Sequence, residues 1–372
     1  MGRYNPKILN MIKVIGLFPL TGNGGIASWT KKFKETFPDE EFQFTFVDVS
    51  ANIDIWITNS ITRYLIGLYG LMKVLWRVRI TIAMNHYDIL HTTTSGNIGH
   101  LRDYFVAKMC HRHGIKCIMH CRYGCIPDDI TRADFVGKIM RKAMNEFDQI
   151  WVLDNKSFKA LNSIESLKGK VFLTPNSIDV IEVLDDNPKS YSTIAFCGNV
   201  YPTKGVLELV KGAIQTDVTL HIIGPASEEM LDRIKDIAGN EVGHKVIIHG
   251  RLPNKDAVES LKNVDMMALP TYYKNEAFPI SIIEAMSLTK MVISCDRAAI
   301  PDMLTALDGS RCGLLVEPKS SDAIKNAIEW CQSHKEEADE MCMKAYQKVV
   351  SCYSKEIVYD LYRNQYRTLY NG

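Results

Sequence analysis

The chain has 372 residues, 46% hydrophobic, 9% aromatic and 23% charged, which excludes a disordered, collagenous or coiled-coil protein. Lysine and arginine total 44 against 43 aspartates and glutamates, a net +1, so no overall charge points to nucleic acid. The length suits two domains, each large enough to bury its own core.

Charge is unevenly spread. Residues 1–178 carry 23 basic and 15 acidic side chains, and residues 179–372 carry 21 and 28, so the first half is suited to an anionic partner. The opening run MGRYNPKILNMIKVIGLF lacks a charged region followed by a long apolar one, which predicts no cleaved signal. No uncharged stretch reaches the roughly 18 residues of a membrane span.

Residues 13–18 (KVIGLF) predict a strand, Gly22, Gly24 and Gly25 a tight turn, and the next segment a helix. Further apolar strands are predicted at 88–94, 116–120 and 149–153, separated by helical spacers. Such alternation implies a parallel sheet covered on both faces. After PNSID at 175–179 and a polar stretch, the alternation restarts with strands at 192–198, 219–224, 245–250, 265–270 and 291–295. The fold class is therefore α/β with two doubly wound, Rossmann-like domains. We place the first at 1–178 and the second at 179–354, with a C-terminal helix at 355–372 packing back on the first. Ligands of such domains gather at the carboxyl ends of the strands, which makes the cleft between the domains the expected site.

Between Asp54 and Asp88 no acidic residue occurs, while Arg63, Lys73, Arg77 and Arg79 interrupt an apolar run that also holds Tyr64, Tyr69 and Trp76. Residues 61–84 read equally as a basic amphipathic helix on an anionic leaflet and as a buried helix with a basic rim.

Ten cysteines at irregular spacing suit reduced core residues of a cytosolic protein. Cys110, His111, His113, Cys117, His120, Cys121 and Cys125 cluster, but their spacings fit no standard finger, and residues 117–120 lie along a strand whose faces alternate. No Asp-x-Asp occurs. We expect no metal and no cofactor.

The sharpest constellation is EAFPISIIEAM, with seven residues between Glu276 and Glu284. Pro279 suits the first turn of a helix, which puts Glu276 in the preceding loop and Glu284 about a turn and a half inside. Free amides there suit a phosphate, and a carboxylate can accept from both hydroxyls of a diol. A further loop, Gly198-Asn199-Val200-Tyr201-Pro202-Thr203-Lys204-Gly205, follows the first strand of the second domain.

With PNSID, AAIPDML and GLLVEPKSSDAIKNAI, these segments make the chain resemble the family 4 retaining glycosyltransferases of GT-B architecture. The resemblance covers nearly the whole chain and is strongest over 171–330. It implies that Lys204 meets the donor diphosphate and that Glu284 fixes the ribose. Glu276, with the amides of Ala277, Phe278 and Pro279 and neighbouring Ile280, would position the donor sugar. Gly24 and Gly25 would approach the donor phosphate. His120 would lie near the donor sugar and His91 would be structural; by their own character Arg122 and Arg102 could guide phosphates or be plain surface arginines. Asn199 stands where the family has arginine, so Arg251 or Arg297 would share the diphosphate charge.

The implied activity is metal-independent, retaining transfer from a nucleoside diphosphate sugar, UDP ahead of GDP or ADP. The acceptor would be a glycan or lipid-linked molecule in cell-surface polysaccharide or lipid-linked oligosaccharide synthesis. The implied place is the cytoplasm, with peripheral contact at the inner face of the plasma membrane. Two other functions fit the sequence: a sugar-nucleotide epimerase or hydrolase, and a catalytically silent partner of a transferase.

Overall fold

The computed structural model describes residues 11–22, 25–37, 40–50, 60–180 and 189–372. The chain forms two compact units, one of residues 1–153, 157–174 and 359–372, the other of 154–156 and 175–358.

The first unit runs β1 (Ile12–Phe18), α1 (Gly25–Thr36), β2 (Phe42–Asp48), α2 (Ser60–Met84), β3 (Ile89–Thr94), α3 (Gly99–His111), β4 (Lys116–Cys121), α4 (Ile126–Ile130), α5 (Phe135–Asn145), β5 (Gln149–Val152), α6 (Asn155–Asn162) and β6 (Val171–Leu173). Its six strands are parallel in the order β2-β1-β3-β4-β5-β6. Every residue of β3 is buried, as a strand covered on both faces must be.

Alternation sorts the side chains into two cores. Ile15, Leu17, Leu90, Cys117, Met119, Ile150 and Val152 join an aliphatic core with Val74, Val78 and Ile82 of α2. Phe18, His91, His120 and Trp151 point the other way, into an aromatic layer with Trp29, Phe33 and Phe37.

The second unit runs β7 (Thr193–Cys197), α7 (Val206–Ala213), β8 (Thr219–Ile223), α8 (Glu228–Ala238), β9 (Val246–Gly250), α9 (Asn254–Lys262), β10 (Met266–Leu269), α10 (Ile280–Ser287), β11 (Met291–Cys295), α11 (Ile300–Met303), β12 (Leu314–Val316), α12 (Ser321–Ser333), α13 (Lys335–Lys348), a π-helical turn (Val349–Tyr353) and α14 (Lys355–Asn371). Its sheet is also parallel, ordered β12-β11-β10-β7-β8-β9. The chain lays β8 and β9 on one side of β7 and then β10 on the other, so the topological switch point falls between β7 and β10.

The units divide four residues earlier than the sequence suggested at the hinge, after Thr174, and four later at the tail, before Tyr359. Hydrogen bonds explain the shift. Ile178 N donates to Tyr353 O at 3.0 Å and Lys355 N to Ile178 O at 2.9 Å, which holds the hinge and the start of α14 within the second unit. From Tyr359 onward α14 belongs to the first unit, where Tyr359, Tyr362 and Tyr366 share one helix face and enter the aromatic layer against Phe37 and Trp151.

Candidate functional site

In the second unit, the loops after β7 and β10 meet at the switch point. Gly205 adopts φ +76°, and a Cβ there would lie 2.2 Å from Pro270 O, so only glycine lets the two loops touch. Tyr272 N donates to Thr203 O at 2.9 Å and locks them in register. A second glycine serves the neighbouring strand end. Gly224, at φ +147°, would place a Cβ 1.8 Å from Gly198 O, which fixes the path of the loop that begins at Gly198.

This packing delivers Lys204 and Glu276 to one place. Lys204 Nζ is paired with Glu276 Oε2, and Thr271 Oγ1 donates to the same oxygen at 3.3 Å. Lys204 Nζ also stands 5.3 Å from the centre of the Tyr273 ring. The sequence suggested separate duties for this cation and carboxylate, one at a diphosphate and one at a sugar. In the structure they touch, largely shielded from water, where a pair is stronger than at a surface. Behind them, Asn176 of PNSID donates from Nδ2 to Phe278 O at 2.9 Å, and Ala299 N donates to Ala277 O at 3.1 Å. The segment 276–279 is therefore tied on both sides.

Pro279 occupies the cap position of α10 rather than its first turn, which starts at Ile280. Ala277, Phe278 and Pro279 are buried and Ile280 half-buried. The positive end of the helix dipole lies at this segment. Glu284, fifth in α10 and half-buried, accepts from Asn254 Nδ2 at 3.2 Å. It also lies near the end of β7, because its charge adds to the burial that pushes the Cys197 thiol up to about 12. Asn199 is exposed on the loop after β7, as is Arg251 after β9. Arg297 donates through Nη2 to Lys274 O, which braces the loop ahead of Glu276.

In the first unit, Gly24 lies outside the described residues. Gly25 opens α1, and a Cβ there would meet nothing within 4 Å, so packing does not require glycine. His120 is placed otherwise than expected: it is 0% exposed with both ring nitrogens engaged. Arg122 Nη1 donates to His120 Nε2 at 3.1 Å, His120 Nδ1 lies 3.3 Å from His91 Nε2, and His91 Nδ1 lies 2.6 Å from Tyr366 Oη. Arg122 is buried, with its guanidinium 4.2 Å from the centre of the Trp29 ring, and burial lowers its pKa to about 10. Arg102 is held by buried Asp103 and by Thr93 O at 3.0 Å.

The cysteines are all free. Three groups with ligand atoms come within 4.8 Å of one another, His111, Cys117 and Asp148. Asp148, far from the cluster in sequence, supplies the centre of this arrangement. Its Oδ2 accepts from Cys117 N at 2.7 Å and meets His111 Nε2 at 3.0 Å. These bonds tie α3 to the starts of β4 and β5, and burial raises the Cys117 thiol well above its ordinary range.

Thr271, Asn254 and Tyr273 are the residues around Lys204, Glu276 and Glu284 that sequence reasoning missed, whereas Asn176 was legible as part of PNSID. Of the missed three, only Thr271 carried a signal, since it stands just after the strand that leads to Glu276.

Residues 182–348 match the family model described as Glycosyl transferases group 1. The chain is 20% identical over 275 residues to an uncharacterized glycosyltransferase of Methanocaldococcus jannaschii, covering 68% of each. Its fold is similar to sucrose-phosphate synthase from Thermosynechococcus elongatus, with TM-score 0.76, 15% identity, and coverage of 97% of this chain and 99% of the other. It is also similar to Anabaena HepE in complex with UDP, with TM-score 0.70, 14% identity, and coverage of 96% and 100%. The two units thus have the GT-B fold.

Proposed function

We propose that this protein is a retaining glycosyltransferase that moves a sugar from a nucleoside diphosphate sugar to an acceptor hydroxyl. The observation that carries the reading is the contact of Lys204 with Glu276 where the loops after β7 and β10 meet. A cation and a carboxylate held together there suit a diphosphate and the sugar attached to it. Lys204 and the amides at the start of α10 stabilise the departing diphosphate. Glu276 orients the sugar hydroxyls, and Glu284 exchanges Asn254 for the ribose diol. Catalysis is mainly positioning and electrostatic preorganisation.

In the step itself, the bond from the anomeric carbon to the diphosphate breaks and a bond to the acceptor oxygen forms on the same face. The departing phosphate takes the acceptor proton. Lys204 supplies the charge that a divalent cation supplies in other transferases, so the reaction proceeds without added metal. UDP stands ahead of GDP and ADP because HepE, of similar fold, is solved with UDP. The acceptor is a glycan or lipid-linked molecule of cell-surface polymer synthesis, met in the cytoplasm.

Calorimetry with UDP, GDP and ADP, free and sugar-linked, tests the reading on the wild type and Glu284→Ala. One nucleotide should bind and be lost in the variant. Binding of none would overturn the donor assignment. A donor cleaved at the same rate with and without acceptor would turn the protein into a hydrolase.

A further inference from the structure

The 25-residue helix α2 has two different faces. Val74, Val78 and Ile82 lie on one side, buried in the aliphatic core of the first unit. On the opposite side Leu65, Leu68, Tyr69, Met72 and Trp76 are 58%, 45%, 69%, 58% and 63% exposed. Their spacing of three, one, three and four residues makes a single stripe, which Ile80 and Met84 extend. A fold does not need this stripe for its own core, and an exposed apolar row of this length marks an interaction surface.

Charge identifies what the stripe meets. The helix carries no acidic residue among its 25. Lys73 and Arg79, both exposed, lie on opposite flanks of the stripe when the helix is laid out at 3.6 residues per turn. Arg77 sits on the Lys73 side and is anchored to Asp48 O at 3.2 Å. Tyr69 and Trp76 have the ring chemistry that favours the level of lipid headgroups. No helix among the described residues is long and apolar enough to cross a membrane, and the packed face of α2 keeps it from leaving the unit.

We infer that α2 lies flat on an anionic lipid bilayer, with the Leu65–Trp76 stripe in the acyl boundary and Lys73 and Arg79 against acidic headgroups. From Leu65 to Met84 the helix offers about 28 Å of contact, at 1.5 Å per residue. The inference does not depend on the donor reading, because docking needs no turnover.

The test is sedimentation of the full chain with vesicles of phosphatidylcholine alone and with about a third phosphatidylglycerol. Wild type should bind the anionic vesicles far better, and the preference should fade with added salt. Lys73→Glu with Arg79→Glu should weaken anionic binding at least tenfold, at about 1 kcal/mol per basic residue near the surface. Met72→Ser with Trp76→Ser should abolish it. Unchanged circular dichroism and nucleotide binding would show that both variants are folded and the donor site intact. Equal binding to neutral and anionic vesicles, or variants that bind like wild type, would overturn the inference. So would a wild type that ignores vesicles but forms a dimer broken by the Met72 and Trp76 changes, which would make the stripe a contact between two copies.

Discussion

Arg122 donates to His120 Nε2, and this contact sets the protons of the whole buried chain. A guanidinium cannot accept a hydrogen bond, so His120 is neutral and carries its proton on Nδ1. It therefore donates to His91 Nε2, and His91 in turn donates from Nδ1 to Tyr366 Oη. Four residues, from the middle of β3, the end of β4, the residue after it and the C-terminal helix, thus form a directed chain with one permitted arrangement of protons.

That arrangement is sensitive to acid. Burial, then the charge of Arg122, lowers the His91 pKa to about 3, and the same causes hold His120 well below its ordinary value. A folded pKa below the unfolded one, near 6.5, gives stability that is complete above 6.5 and lost as pH falls toward 3. We expect the first unit to lose about 1.4 kcal/mol per pH unit from His91 within that window. Trp29 lies edge-on to His120 and the Trp151 ring is tilted against His91, so tryptophan fluorescence during acid titration reports the pair. His91→Gln, which keeps polar contacts but does not titrate, should flatten the slope.

Tyr366→Phe leaves the His91 Nδ1 proton without its acceptor in a fully buried site. The loss should be about 1–3 kcal/mol. Chemical denaturation should show it as a lower midpoint at unchanged slope.

Lys204→Ala removes the partner of a buried carboxylate and the cation at the switch point. Transfer should slow by about 10²–10³-fold, while nucleotide affinity changes less. Glu284→Ala should do the opposite, weakening nucleotide binding by about tenfold or more with a smaller effect on the rate at saturation. Steady-state kinetics with calorimetry separates them.

Gly205→Ala combines strained φ with a clash against Pro270 O, whereas Gly114→Ala has φ +73° and open space around the new methyl. The first should destabilise by more than about 2 kcal/mol and the second by about 1–2 kcal/mol. Differential scanning calorimetry on the two variants tests whether loop contact, and not backbone strain alone, requires glycine at 205.

What the sequence revealed follows from physics that is local in the chain. Strands β4 and β7 to β11 are largely apolar runs, and β3 opens on Ile89 and Leu90 before three β-branched threonines. β2 was missed by looking only for continuous apolar runs, although the alternating phenylalanines of FQFTFVD are the period-2 pattern of a half-buried strand. β6 and β12 were missed because three residues make too short a run. Lys204 and Glu276 were legible as motif members, but not their contact, which spans 72 residues. Likewise His120 was singled out by its strand-end position, whereas its burial depends on Trp29 and Tyr362, which no spacing links to it.

The shared helix α14 carries a consequence for biosynthesis. Strands β1 to β6 of the first unit precede the second unit in the chain, yet the aromatic layer that covers them needs Tyr359, Tyr362 and Tyr366. Those residues are translated only after the whole of 175–358. The unit made first must therefore wait, with one side of its sheet uncovered, while the second completes its fold. A nascent chain stalled before Tyr359 would expose Phe33, Phe37 and Trp151 to chaperones.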